Sequence, residues 1–338
     1  MRAVQFTEYG GPEVLELVET ERPVSAVDGV LIAVEAAAVN PVDTYFREGA
    51  YEPAELPWIP GSDVAGTVVE AGDETDFAVG DRVFATGLGN SRQGTCAEYV
   101  AAPASAVAEL PESLSFAEGA AMALVGVTAW QSLVAACSLE PGERVLVHGG
   151  SGGVGHLAIQ LAAATGARVT TTASPTYHDR LIDLGADDAL DYRRDDLDDA
   201  VVAAGRPDVL LDHRLDDYLS FDARVAAQGG RIAAIGNTDS SATFADVPAC
   251  RAKALSVHHV SMFNTPEFGA VLARLATLAA DGAIEPVVVR EYDLAEVADA
   301  QRAVLDESFL GKLVVTPDLS ARRPSLRVCQ SSLTSTAR

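Results

Sequence analysis

Short β-branched runs broken by Gly, Pro and Asp fill the first third of the chain. "GVLIAVEAAAVN" begins at Gly29, "DVAGTVVEAG" at Asp63, "GDRVFATG" at Gly80 and "CAEYVAAPA" at Cys96. Apolar runs of strand length separated by turn formers predict a β-rich region over residues 1 to about 122. Near Ser115 the pattern changes. "SFAEGAAMALVGVTAWQSLVAAC" carries small apolar residues at helical spacing, and Ser115 with Glu118 three residues on forms a capping signal.

From Glu143 strand-like and helix-like segments alternate. "RVLVHG", "ARVTTTA", "DDALDY", "PDVLLDH", "GRIAAIGN" and "ALSVHHVSM" read as strands, with helices starting near His156, Thr176, Asp196 and Asp216. Six strands joined by crossover helices predict a parallel, doubly wound sheet. Beyond Asn264 come a helix ("PEFGAVLARLATLAADG"), a strand ("PVVVREYDL"), a helix ("AEVADAQRAVLDES") and a last strand ("GKLVVTP"). These have no place in the wound sheet and are expected to pack back on the first region. The Ser/Arg-rich end, 318–338, lacks periodicity and reads as a disordered tail.

Within this pattern one stretch carries chemistry. Gly150, Gly152 and Gly155 in "VLVHGGSGGVG" satisfy G-x-G-x-x-G directly after an apolar strand and open the predicted helix His156–Ala164. In that setting the glycines permit a tight turn, close approach to a pyrophosphate and close helix–strand packing. The phosphate meets helix N–H groups at the positive end of the dipole. The cradle Gly150–Ser151–Gly152–Gly153–Val154–Gly155 is therefore a dinucleotide site. An NAD site wants an acid at the end of the second strand, about twenty residues on. This chain has "VTTTASPTYHDR", with no acid before Asp179. Ser174 can donate to a 2′-phosphate, and His178, Arg180 or Arg193 can supply charge, so NADPH is expected.

Composition narrows the partners. The 338 residues, 48% hydrophobic, can bury two cores, and the 49 acidic against 24 basic residues leave a net charge of −25. Such a surface repels phosphate backbones and anionic membranes, so nucleic acid is not expected as a partner. Only two lysines occur, Lys253 and Lys312. Abundant carboxylates with little lysine point to a saline cytoplasm, where a Debye length of about 3 Å at molar salt screens self-repulsion. No apolar run reads as membrane-spanning, and the N-terminus enters a strand at once, so neither membrane nor targeting segment is expected. Cys96, Cys137, Cys250 and Cys329 contain no CxxC pair; the first three read as buried small hydrophobes.

Taken together, "AVQFTEYGGPEVLEL", "AAAVNPVDTYFREGAY", "LPWIPGSDVAGTVVEAG", "GDRVFA", "VLVHGGSGGVG", "GADDALDYRRDDL" and "GKLVV" resemble the medium-chain dehydrogenase/reductase superfamily, within it the zeta-crystallin-like quinone oxidoreductases. The resemblance runs from Met1 to about Pro317. It implies an α/β fold: a GroES-like β-rich catalytic domain (1–122, completed by 265–317) and a Rossmann domain (123–264) with a doubly wound, parallel six-stranded sheet. The zinc-using branch of the superfamily places a Cys and a His where this chain has Asp43 and Ser62, and adds a four-cysteine lobe that is missing here. No metal is therefore expected.

By the same resemblance Asn40, Asp43, Tyr45 and Tyr51 form the catalytic pocket. Asn40 and Thr128 orient the nicotinamide, while the two tyrosines wall the acceptor. Tyr192, Asn237 and Lys312 match cofactor positions. His213 and Arg214 depart from the family's small residues after the fourth strand and bring bulk to the cofactor side. The implied activity is NADPH-dependent quinone reduction. The alternatives are reduction of an activated alkene (a 2-alkenal, or an enoyl thioester such as acryloyl-CoA) and a non-catalytic NADPH-binding protein. The resemblance also implies a homodimer joined through "ALSVHHVSM" as an edge strand.

Overall fold

A computed structural model describes residues 1–317 apart from 54 and 245. The expectation for the tail, and Cys329 with it, lies outside the described residues.

The chain begins with β1 (Arg2–Gln5), paired antiparallel with β2 (Glu16–Glu19). It continues through β3 (Gly29–Ala38), α1 (Pro41–Glu48), β4 (Val64–Ala71), β5 (Arg82–Ala85), β6 (Tyr99–Pro103) and β7 (Val107–Glu109). Then come α2 (Phe116–Trp130), β8 (Arg144–His148), α3 (Gly153–Thr165), β9 (Arg168–Ala173), α4 (His178–Asp183), β10 (Asp188–Asp191), α5 (Leu197–Ala204), β11 (Val209–Asp212) and α6 (Leu215–Val225). The last stretch holds β12 (Arg231–Ala234), α7 (Val247–Ala252), β13 (Ser256–His259), α8 (Phe268–Ala280), β14 (Val288–Asp293), α9 (Val297–Asp306) and β15 (Lys312–Thr316).

The six strands expected from Glu143 onward all form and pair in parallel, in the order β10-β9-β8-β11-β12-β13. They are apolar because helices cover both faces: Val145, Leu146, Val147, Val209, Leu210, Leu211 and Ile232 are all essentially inaccessible. The chain runs outward from β8 to β10 and then returns to the other side of β8 as β11. That reversal opens a crevice beyond the carboxyl ends of β8 and β11, at His148 and Asp212.

The second large sheet runs β14-β15-β3-β4-β5-β7, with β6 also on β3. The late strand β15 pairs antiparallel with β3, Val314 opposite Ala38, and brings β14 with it. Lys312, at the start of β15, is thereby carried to the end of β3, next to Asn40.

Three local readings differ from the sequence expectation. The helix expected from His156 begins at Gly153, because Gly152 is its extended N-cap (φ −68°, ψ 168°) and the glycine turn feeds straight into the first helical turn. Ser115 caps α2 through a reciprocal Ser115–Glu118 box, and the helix runs on as a π-helical segment to Ala136, over the span the sequence predicts. At 21 residues and a mean hydropathy of 1.5 it is long and apolar enough to span a membrane, contrary to the reading of the sequence. It is the central core helix instead: 72% of its window is buried, and Met122, Val125 and Val127 pack with Leu157, Leu272 and Leu275. Finally, Cys96 and Cys137 are buried as expected, but Cys250 is only half-buried.

Candidate active site

The glycine turn sits where β8 hands over to α3. Gly149 takes φ +67°, which an L side chain rarely adopts. A Cβ on Gly150 would run into Thr171 Oγ1, and one on Gly155 into the Gly149 carbonyl. At Gly152 the only atom within 4 Å of a Cβ would be the Gly149 oxygen, at 3.2 Å. Two glycines are thus required for packing, while the middle one leaves an opening above the backbone. An opening of this kind at the N-terminus of a helix is the form a pyrophosphate cradle takes.

A second site is built at the end of β3. Asn40 is the N-cap of α1 and its amide N–H donates to Asp43 Oδ2 at 2.8 Å. Its side chain is held at both ends: Nδ2 donates to Asp63 Oδ2 at 2.8 Å, and Oδ1 accepts from Lys312 Nζ at 2.5 Å. Lys312 Nζ also donates to the Val39 carbonyl at 2.6 Å. Asp63 Oδ1 accepts from Thr86 Oγ1 at 2.7 Å and from the Leu124 amide of α2 at 2.9 Å. Asn40, Asp43, Asp63, Thr86 and Lys312 are all buried.

One buried ammonium lies within electrostatic reach of two buried carboxyls. Burial raises Asp43 to about 7, and the Asp63 charge adds to this against the Asn40 N–H, Lys312 and Ser62. Burial also raises Asp63 and lowers Lys312, each opposed by the other's charge. Lys312 is therefore no solvated lysine, and its ammonium is committed to Val39 and Asn40. Its stem reaches the cofactor turn, since a Cβ on Gly153 would meet Lys312 Cδ at 2.8 Å, and the Gly311 amide donates to the Ser151 carbonyl at 2.9 Å. One side chain thus joins the glycine turn to the Asn40 site.

The remaining expected residues fall around these two centres. Tyr45 and Tyr51 are 38% and 50% exposed and meet edge to face at 5.9 Å. Burial, then Tyr51 and Glu48, raise the Tyr45 hydroxyl above its ordinary value. Thr128 is buried on α2 and donates to the Leu124 carbonyl. Ser174 is half-buried at the end of β9, Tyr192 is exposed, and Asn237 lies exposed beyond β12 with its Nδ2 on the Asp239 carbonyl.

The cations proposed for a 2′-phosphate are all engaged. Arg193 makes two bonds to Asp191, Arg180 pairs with Glu285, and His178 Nε2 bonds the Ala173 carbonyl. His213 packs against the turn: a Cβ on Gly149 would meet its Cε1 at 2.8 Å. His213 is exposed on the surface of the turn, yet the protein packed around it first, then the His148 and Arg214 charges, depress it to about 4. Arg214 itself pairs with Asp217.

The donor chemistry at the two positions where the zinc-using branch places Cys and His bears on whether zinc fits here. Ser62 Oγ donates to Asp43 Oδ1 at 3.2 Å, so the two positions are spent on each other. The nearby Cys96 thiol is pushed well up, chiefly by burial and then by Asp43. Among the described residues no group of three His, Cys, Asp or Glu could hold a metal ion. The residues present do not fit zinc.

Sequence reasoning missed Asp63, whose carboxyl organises the site. The available signal was an acid opening the apolar strand "DVAGTVV". It also missed the buried pair His148 and Asp222, with the half-buried Tyr218 stacked on His148. An open apolar hollow of about 420 Å³ beside Trp130, Leu161 and Leu278 shares no residue with either centre.

Comparison with known proteins agrees with this geometry. The alcohol dehydrogenase GroES-like domain family matches residues 27–112, and the zinc-binding dehydrogenase family matches 184–315. Quinone oxidoreductase from Homo sapiens is 36% identical over 326 residues, covering 93% of this chain and 97% of that protein. Among solved structures, Escherichia coli quinone oxidoreductase complexed with NADPH superposes with a TM-score of 0.84 at 27% identity, covering 94% of this chain and 100% of that one. An NAD-dependent alcohol dehydrogenase superposes with a TM-score of 0.86 at 31% identity, covering 94% and 99%. With its β-rich and doubly wound sheets, its glycine cradle and relatives matched over nearly their whole length, the chain belongs to the medium-chain dehydrogenase/reductase superfamily of oxidoreductases, alongside the quinone oxidoreductases.

Proposed function

We propose that the protein reduces quinones with NADPH, without a metal ion, where the glycine turn faces the Asn40–Tyr45 region. The observation that carries this reading is the placement of Lys312. Its stem lies on Gly153 and its ammonium on Asn40, so a cofactor on the turn and an acceptor beside α1 are held to one rigid support. Bound NADPH supplies the hydride. The chain's residues then have positional work. The turn's N–H groups hold the pyrophosphate, Asn40 presents a carboxamide fixed from both sides, and Tyr45 and Tyr51 wall a planar acceptor. With its hydroxyl kept protonated, Tyr45 remains a hydrogen-bond donor to an acceptor oxygen. A quinone gains aromaticity on reduction, so no strong general acid is needed.

NADPH is favoured over NADH by Ser174 and Tyr192 and by the exchange of Arg193 from Asp191 to a 2′-phosphate. Such an exposed pair contributes little stability and is readily given up. The acidic surface is read as adaptation to molar salt. β13 lies at the edge of its sheet, and a second copy is inferred to pair there; a monomeric mass in sedimentation at high salt would exclude it.

The test compares 1,4-benzoquinone, a 2-alkenal and acryloyl-CoA as acceptors with NADPH and with NADH, in molar potassium chloride. The expected result is fastest turnover with NADPH and benzoquinone. Faster alkene reduction overturns the acceptor assignment, faster NADH turnover overturns the cofactor assignment, and NADPH binding without any turnover makes the chain a binding protein.

A further inference from the structure

The β8 and β11 ends that frame the crevice carry a buried acid cluster for which the reaction has no use. His148, the last residue of β8, is fully buried; its Nε2 lies 2.8 Å from Asp222 Oδ1 of α6, and its Nδ1 3.3 Å from Thr172 Oγ1 of β9. Tyr218 stacks flat on the His148 ring at 4.3 Å. Asp212, the last residue of β11, accepts from the Arg214 amide at 2.7 Å through Oδ1; like Asp222 it is fully buried, and the two carboxyls lie close enough for the charge of one to act on the other.

Two buried oxygens here have no donor, Asp212 Oδ2 and Asp222 Oδ2. Two ionised carboxylates placed this way would leave both orphaned and repelling, a costly arrangement in a dry interior. A single proton between them turns one oxygen into a donor and satisfies both. The other charged and titratable groups facing the pair are His148 on β8, His213 and Arg214 on the β11–α6 turn, and Tyr218 on α6, itself influenced by Asp217 and Tyr192. Thr172 from β9 is neutral.

We propose that Asp212 and Asp222 share one proton, and that this acid pair positions the two turns on which the cofactor's pyrophosphate rests. The reading rests on the glycine turn being the NADPH site. The path is short on both sides. Asp222 holds His148, whose partner Thr172 Oγ1 also accepts from the Gly149 amide at 3.3 Å. Asp212 holds the Arg214 amide, and hence the turn that places His213 on Gly149. Losing the proton leaves two carboxylates against one imidazolium directly beneath a bound anion, so NADPH binding and proton retention support each other.

Asp212 is raised to about 7, first by burial and then by the Asp222 charge, while the Arg214 amide and His148 act the other way. For an acid with a raised folded-state value, the favourable contribution is complete below the unfolded value of 3.8 and is lost as pH rises through about 7. NADPH affinity should follow the same direction.

The test is Asp212→Asn, whose amide keeps a donor toward Asp222 and cannot ionise. NADPH is titrated by fluorescence at pH 6 and pH 8.5, at fixed high salt, with wild type and variant side by side so that ionisation of NADPH's own phosphate cancels. Wild type should lose affinity roughly tenfold at the higher pH relative to the variant, about 1.4 kcal/mol. An infrared difference spectrum, wild type minus variant at pH 6 without cofactor, should show a protonated-carboxyl band that shifts in D₂O. The difference also removes Asp43, which titrates in the same range. Absence of that band overturns the proposal, as does an identical pH dependence of affinity in the two proteins. If NADPH fails to bind at every pH while the band is present, it is the cofactor reading that falls, and with it the positioning role.

Discussion

Lys312→Met is expected to cost about 3–5 kcal/mol of stability at pH 8, the scale for removing one partner of a buried ion pair and leaving the other charges uncompensated. Asp43 and Asp63 would be left as neighbouring buried carboxyls, and Asn40 would lose the donor on its carbonyl oxygen. The sign with pH follows from the raised carboxyls. Protonation of Asp43, raised to about 7, removes one of the uncompensated charges, and Asp63 is raised in the same direction, so the deficit should shrink between pH 8 and pH 5. Urea unfolding of wild type and variant at both pH values measures this. Where the variant still folds, kcat/KM should fall with it, because Asn40 is no longer held toward the glycine turn. A variant as stable as wild type at pH 8 would show that the ammonium is not the counter-ion of this site.

The second large effect separates two glycines only three residues apart. Gly152→Val should leave the fold nearly intact, since a Cβ there meets only the Gly149 oxygen at 3.2 Å and φ is −68°. The added side chain fills the opening above the turn. NADPH affinity should drop at least about a hundredfold, or about 2.7 kcal/mol. Gly155→Val places its Cβ against the Gly149 backbone and should unfold the protein outright. Circular dichroism with NADPH fluorescence titration distinguishes the two variants. Undiminished binding by a folded Gly152→Val would remove the turn from the cofactor site.

What could be read from the chain beforehand was whatever is local. The parallel strands show as apolar runs because each is buried on both faces, and the glycine turn shows because its spacing is fixed by backbone geometry within a few residues. The Ser115–Glu118 cap was legible for the same reason. The start of α3 was misplaced by three residues because a glycine N-cap carries no side-chain signature. The roles that escaped are those made by distant parts of the chain. Lys312 meets Asn40 across 272 positions, and only the pairing of β15 with β3 brings them together. Asp222 looks like an ordinary helical acid until α6 folds it against His148, 74 positions away. His213 and Arg214 did announce themselves as departures near the cofactor side; the structure adds that His213 lies on Gly149 while Arg214 turns to Asp217.

The most direct measurement is NADPH oxidation by 1,4-benzoquinone in molar potassium chloride, using protein stripped with a chelator and then dialysed. The proposed site, with Asp43 and Ser62 bonded to each other and Lys312 supplying the buried cation, predicts full turnover after stripping and no gain on adding zinc. Activity lost on stripping and restored by zinc would contradict it.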